Sequence, residues 1–490
     1  RLPDMIEAYC WPQSVVPGEP VALHLSTYAP TVQVEVARDG AEREVVWSAT
    51  EVPGEFFPTP DDASSHGCGW PAALEIPVGP DWRSGYYAVT VTAGDQRADA
   101  FVVVRSAPDP EPAPILMVLS TTTWSAYNDW GGPSLYTGGT RVSFERPMAP
   151  GFLVKPEPHR RKSQPRPDRE ALWFFEWAAP LGLSVWSGGA GWWNWERPML
   201  RWAEARGFRI DVAVSQDLEA HADLLDGRRM LLSVGHDEYW SWGMREAVEA
   251  FTATGGNAAF FSGNTCYWQV RFEDDLRQMV GFKYGADLDP VVGTPEERLI
   301  TSAWVDRRIG WPEFSTTGLS FSRGGYSRYG LGVPKASGAY TVWRPDHWVF
   351  EGADLAYGDA LGLADAIVAY EVDGCELTLV DGLPVPTHSD GAPDTLEVLA
   401  TAPAKLWTQH EQPSRYAHEP GELESVAMAI HGEDWEEHLD GLRHNHAAMA
   451  VFTTPGGGTV FNAGCTDWTD GLGDPAVERI TRNVFERLSG

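Results

Sequence analysis

The sequence predicts an α/β protein with an open, mostly parallel sheet, preceded by an all-β sandwich of immunoglobulin-like type. Three observations predict it. Short alternating segments fill the first hundred residues, a proline-rich stretch "SAPDPEPAP" follows at 106–114, and continuous apolar runs then alternate with helical segments. Strict alternation marks a strand with one wet face, whereas an unbroken apolar run is expected of a strand covered on both faces, as in parallel sheets.

Within residues 1–106, "VALHLST", "TVQVEVARDG", "EREVVWSAT", "AALEIPVG", "GYYAVTVTAGD" and "ADAFVVVR" alternate between turn signals, and Asp39-Gly40 reads as a hairpin turn. Short strands at this spacing suggest the sandwich. Residues 107–114 form a stiff, extended linker and a domain boundary. From 115 onward "ILMVLS", "RIDVAVS", "MLLSVG" and "NAAFFSGN" read as buried strands. Between them, "PMLRWAEARGF" is helical and stops at Gly207. "GMREAVEAFTATGG" places Met244, Ala247, Val248 and Phe251 at helical spacing and stops at Gly255. This alternation is that of βαβ units, in one α/β domain over 115–490. Residues from about 285 to 445 are less regular, rich in Gly, Trp and Pro, and read as an insertion with its own strands, "AIVAYEVDG" and "CELTLVDG". The main sheet resumes with "AAMAVFTT" and "GGTVFNAGCTDW". A last helix carries Val477, Ile480, Val484 and Leu488 on one face.

Composition bounds the function classes. The 490 residues are 43% hydrophobic and 12% aromatic, enough for a large core in two or three domains. A net charge of -32 argues against nucleic acid and anionic membrane surfaces as partners. No run approaches the roughly 18–20 apolar residues of a membrane span, and no signal-peptide pattern is visible. Five scattered cysteines with no CxxC pair disfavour a structural zinc or a disulfide scaffold, Cys10–Cys68 being the one pairing weighed. A reducing cytoplasm is the expected location.

Chemistry collects where four apolar runs end. In open α/β sheets, ligands bind beyond the carboxyl ends of the strands. The four ends carry "TTTWSAYNDWGGPSLYTGG", "HDEYWSW", "GNTCYWQV" and "AGCTDWTDG", which would set Tyr127, Tyr136, His236, Glu238, Asn264 and Cys266 along one rim. In a first reading His236 and Asp237 merely cap the following helix and the aromatics pack. A second makes Cys266 a nucleophile served by His236 and Glu238, although "NTCYW" is bulky for a nucleophile turn. A third is a metal. His236 and Glu238 point the same way in extended backbone, and Glu238 with tyrosine phenolates from "AYNDWGGPSLY" would suit Fe(III) among hard ions.

At these residues the chain resembles the large (beta) subunit family of N,N-dimethylformamidase, in its C-terminal catalytic region. The resemblance rests on "TTTWSAYNDWGGPSLY", "RVSFERP", "DVAVSQDLEAH", "GHDEYWS", "GGNAAFFSGNTCYW", "HWVFEGADL", "IVAYEVDG" and "GTVFNAGCTDW", in that order across 115–490. It implies a sheet similar to the class I glutamine-amidotransferase type. It also implies one mononuclear Fe(III) held by two tyrosines and a glutamate, activating water against a small amide. Carried over, Glu238 is the glutamate ligand, and Tyr127 and Tyr136 are the tyrosines, with Tyr239 and Tyr267 as substitutes. His236 becomes a proton-transfer neighbour, Asn264 a polar group facing the substrate, and Glu371 a candidate general base. Trp124, Trp130, Trp240 and Trp268 would dry the pocket.

There are departures. The chain is shorter than that subunit, carries a different N-terminal domain, and shows nothing of a small partner subunit; a homo-oligomer is left open. The expected activity is iron-dependent hydrolysis of a non-peptide C–N bond. The alternatives are a carbohydrate-binding protein with a Trp-rich cleft and a cysteine hydrolase using Cys266.

Overall fold

A computed structural model describes residues 5–109, 111–163, 173–329, 334–411 and 420–490. The chain divides into two compact units. One comprises Arg1–His159, Leu181–Arg228 and Phe272–Val280, the other Arg160–Pro180, Arg229–Arg271 and Gly281–Gly490. The division does not fall at the proline-rich linker, because residues 115–159 and 181–228 group with the N-terminal sheets.

In the first unit the alternating segments form two antiparallel layers. Ile6–Trp11, Val21–Thr27 and Ala72–Ile76 make one sheet. Thr31–Asp39, Arg43–Pro53, Gly85–Ala93 and Gln96–Val104 make the other, with Ser14–Val15 added in parallel on its edge. Their inward residues, Val21, Leu23 and Leu25 against Val34, Val36, Val89, Val102 and Val104, share one core, each side chain contributing roughly 1.5–3 kcal/mol by burial. Cys10 lies in that core and Cys68 in a smaller cluster, and all five cysteines are free thiols. Asp39, expected only as a turn signal, does more. Its carboxylate accepts from Arg197 Nε (2.7 Å), Arg201 Nη1 (3.0 Å) and Trp192 Nε1 (3.1 Å), fixing the Glu196–Ala205 helix to the hairpin. Ile115–Leu119 and Ile210–Val214 pair in parallel, as the apolar runs predict. "TTTWSAY" is not a loop: Thr121–Tyr127 is a helix buried on every side.

In the second unit a βαβ element is built as the sequence reads. Met230–His236 leads to the Trp242–Ala253 helix and returns as Asn257–Gly263, parallel to the first strand with His236 opposite Gly263. Ser241 caps the helix by accepting from Met244 N (3.2 Å), so neither His236 nor Asp237 is the cap. Thr459–Asn462 adds a third parallel strand. Beyond it Asn445–Thr453, Glu397–Ala404, Tyr340–Val342 and Ala360–Leu361 all pair antiparallel. The sheet is therefore mixed, and the mostly parallel expectation holds only for its first strands. Residues 285–445 are not a peripheral insertion, since three of these strands come from them. The Pro475–Ser489 helix buries Val477, Ile480, Val484 and Leu488, as its periodicity predicts.

Candidate functional site

The strand end at 231–242 sets the site. Gly235 takes a left-handed φ of 81° that few other residues tolerate, after which His236 closes the strand and Asp237 and Glu238 follow. Ser233 Oγ donates to Asp237 Oδ2 (2.8 Å), making Asp237 an anchor of the turn. Tyr239–Ser241 pairs in parallel with Trp268–Glu273, and this register brings the Trp268 indole to Glu238, where Nε1 donates to Oε1 at 2.9 Å.

Glu371 arrives from a distant part of the chain. Glu371–Gly374 pairs with Ser320–Tyr326 and crosses the ends of the parallel strands, where Thr466 N donates to the Glu371 carbonyl (3.1 Å) and Asp373 N to that of Gly464 (2.9 Å). The crossing needs glycine at 263: a Cβ there would lie 2.4 Å from Glu371 O and 2.6 Å from Thr466 N.

The result is a buried group of one imidazole and two carboxylates. His236 Nε2 lies 2.6 Å from Glu371 Oε2 and 3.1 Å from Glu238 Oε2, all three side chains being almost wholly excluded from solvent. Burial pulls the imidazole down, but the two carboxylates outweigh it and push it up to about 10. Burial raises Glu371, while His236 and then Lys162 pull it below the usual carboxylate range. Asn264 Nδ2 donates to Glu371 Oε2 (3.2 Å), whereas its buried Oδ1 has no partner among the described residues. Asp373 holds this turn, accepting from Asn264 N (2.9 Å) and Thr265 N (3.1 Å). Burial raises its carboxyl to about 8 against the lowering effect of those N–H groups.

Around Glu371 stands a shell that the sequence did not single out. The Tyr326 hydroxyl is 2.8 Å from Glu422 Oε1 and 3.3 Å from Glu371 Oε1. Lys162 Nζ donates to the Tyr370 hydroxyl (2.6 Å), and the Tyr370 ring sits edge-on to His236 with centroids 5.8 Å apart. The available signal was the pair Glu371 and Asp373, two residues apart in "AYEVDG" and hence on one strand face. Tyr326, Glu422 and Lys162 carried no local pattern.

Of the expected site residues, the structure brings His236, Glu238, Glu371 and Asn264 together in the second unit. Glu371, equally readable as an edge-strand surface residue, is buried in the group. Tyr127 and Tyr136 belong to the first unit, where their rings lie 4.1 Å apart with Trp186 against Tyr136 at 5.4 Å. Tyr239 and Tyr267 are buried, Tyr267 packing on Trp268 and Phe321. Cys266 is fully buried and burial pushes its thiol well above the ordinary range, which opposes a nucleophilic role. Of the tryptophans expected to dry the pocket, Trp124, Trp240 and Trp268 are buried, and the N–H groups of Trp124, Trp130 and Trp240 donate to Glu196, Glu7 and the Asp237 carbonyl.

The donor set suits a metal. One nitrogen and two carboxylate oxygens lie within 4.8 Å of one another, close enough to converge on a single ion. A mixed imidazole and carboxylate set is also the chemistry that holds non-heme iron.

Comparison with known proteins agrees with the order of the motifs. The family model described as "N,N-dimethylformamidase beta subunit-like, C-terminal" matches residues 32–481. The match begins well before 115, so most of the N-terminal sandwich lies inside the family region and is not a foreign domain. The N,N-dimethylformamidase beta subunits of Alcaligenes sp and Paracoccus aminophilus are each 24% identical over 461 residues, with 86% of this chain and 54% of theirs covered. The chain thus spans about half the length of these curated relatives. It belongs to the N,N-dimethylformamidase beta subunit-like C-terminal family.

Proposed function

We propose that the chain hydrolyses the carbon–nitrogen bond of a small amide with water activated at the His236–Glu238–Glu371 group. The observation that carries this reading is the convergence of these three buried side chains beside Asn264 Oδ1, which has no partner among the described residues. Family membership supports amide chemistry, and the donor set supports iron. Bound there, Fe(III) would polarise the amide carbonyl and make a water more acidic. Glu238 is a ligand in both versions of the site, the His236–Glu238–Glu371 set and the set with Tyr127 and Tyr136 that the family resemblance implies.

The chain's own residues do the remaining work. Glu371 receives the proton of the attacking water on Oε1, the oxygen that faces Tyr326 and not His236, and returns it to the departing nitrogen as the C–N bond breaks. Asn264 Oδ1 accepts an N–H or O–H from substrate or water, an orienting role, because its Nδ2 is engaged by Glu371. Trp268 fixes the free rotation of Glu238 by occupying its other oxygen.

Metal analysis and visible absorption, with dimethylformamide and longer amides as probes, test the reading. About one iron per chain is expected, and Glu238→Ala should lose both iron and hydrolysis. A tyrosinate band that disappears in Tyr127→Phe or Tyr136→Phe would assign the tyrosine ligands. An iron-free protein with undiminished amide hydrolysis would overturn the metal, and an iron-loaded protein inert to amides would overturn the reaction.

A further inference from the structure

We propose that Tyr326 is a positioning residue for the hydrolysis, its hydroxyl turned to Glu422 so that Glu371 Oε1 stays uncapped for the attacking water. The kinetic consequence rests on the amide reading; the direction of the hydroxyl rests on the surrounding distances alone.

The sheet fixes Tyr326 beside Glu371. The two are direct partners in the antiparallel pair of Ser320–Tyr326 with Glu371–Gly374, and directly opposed residues project to one face. On its other edge Tyr326 is tied to Lys405, with Tyr326 N donating to Lys405 O (2.9 Å) and Lys405 N to Tyr326 O (3.1 Å). The Tyr326 ring stacks on Trp407 with centroids 3.9 Å apart and meets Phe321 edge-on at 5.7 Å. Backbone and ring are thus held on both sides, and only the phenolic proton can turn.

That one proton faces two carboxylates. A phenol donates once. Glu422 Oε1 at 2.8 Å sits at the ordinary O–H···O distance, whereas Glu371 Oε1 at 3.3 Å lies beyond it. Burial and the carboxylates of Glu422 and Glu371 push the phenol well above its ordinary range, so the hydroxyl keeps its proton. Glu371 Oε2 is already met by His236 Nε2 (2.6 Å) and Asn264 Nδ2 (3.2 Å), which leaves Oε1 to take a proton from water. A donor aimed at Oε1 would compete with that water, and Glu422 draws the donor away.

Neutron diffraction from crystals of the native chain locates the proton directly. Density directed at Glu422 Oε1 is expected, and density directed at Glu371 Oε1 would overturn the proposal. In Glu422→Leu the proton should turn to Glu371, and the Tyr326–Glu371 oxygen separation should shorten from 3.3 Å to about 2.7–2.8 Å. With dimethylformamide as substrate, kcat of that variant should fall by about tenfold or more while KM moves by less than about threefold. Adding Tyr326→Phe to Glu422→Leu removes the capping proton and should recover much of the lost kcat, whereas a packing role would make the double variant slower than either single one. An unchanged oxygen separation, a native kcat in Glu422→Leu, or a double variant no faster than Glu422→Leu would each overturn the proposal. A native chain inert to amides would overturn the amide reading instead, and the proton position would still decide the direction of the hydroxyl.

Discussion

Asp289 shows how a single carboxylate can organise a turn. It receives Arg271 Nη1 (2.8 Å) and Nη2 (2.9 Å) together with Thr301 N (2.9 Å) and Oγ1 (2.8 Å). Thr301 in turn accepts from Lys283 N (2.9 Å) through its carbonyl, so the turn that carries Lys283 hangs on this carboxylate. Burial raises the Asp289 carboxyl, but the Arg271 and Thr301 donors outweigh it and hold it below the usual range. The stabilisation is therefore present above the unfolded value near about 4 and is lost as pH falls through the lower folded value. Asp289→Asn is expected to cost about 1–3 kcal/mol near neutral pH. Urea unfolding at pH 7 and pH 3 should show the difference from the native chain narrowing in acid, and an unchanged difference would refute the charged contact. Legibility at this scale was uneven. His236, Glu238 and Asn264 stood out because polar groups crowd strand ends. Glu371 had two equal readings, because burial depends on what covers the strand.

Elements whose ends carry local signals came out as the sequence reads them. Asp474 caps the last helix, accepting from Ala476 N (2.8 Å) and Val477 N (3.1 Å) with Pro475 in the first turn. Asp474→Ala is expected to remove about 1 kcal/mol, seen as a lower melting temperature. No change in melting would mean that water replaces the cap. Thr121–Tyr127 escaped notice for the opposite reason. Three consecutive threonines disfavour a helix locally, and a segment buried on all sides shows no amphipathic period. The segments within 285–445 were misplaced likewise. Tyr340–Val342 and Ala360–Leu361 are too short to show a period, yet both complete the main sheet.

Across the whole molecule the dominant sequence-level fact is a net charge of -32. Repulsion among those charges destabilises the folded chain, and salt shortens its reach to about 10 Å at 0.1 M. Raising sodium chloride from about 10 mM to 0.5 M should therefore raise the melting temperature by about 1 °C, as roughly 1 kcal/mol would in a chain of this size. A fall would mean that surface ion pairs such as Arg308–Asp287 outweigh the net repulsion. The sequence by itself determined the all-β beginning, the βαβ element at 230–263, the last helix and the family, because each is written in local periodicity or in ordered motifs. Only the tertiary structure decided that the sheet is mixed, that the compact units ignore the linker, and that Glu371 meets His236 and Glu238. Those outcomes depend on contacts between residues far apart in sequence, and no local pattern encodes which strand crosses the end of another.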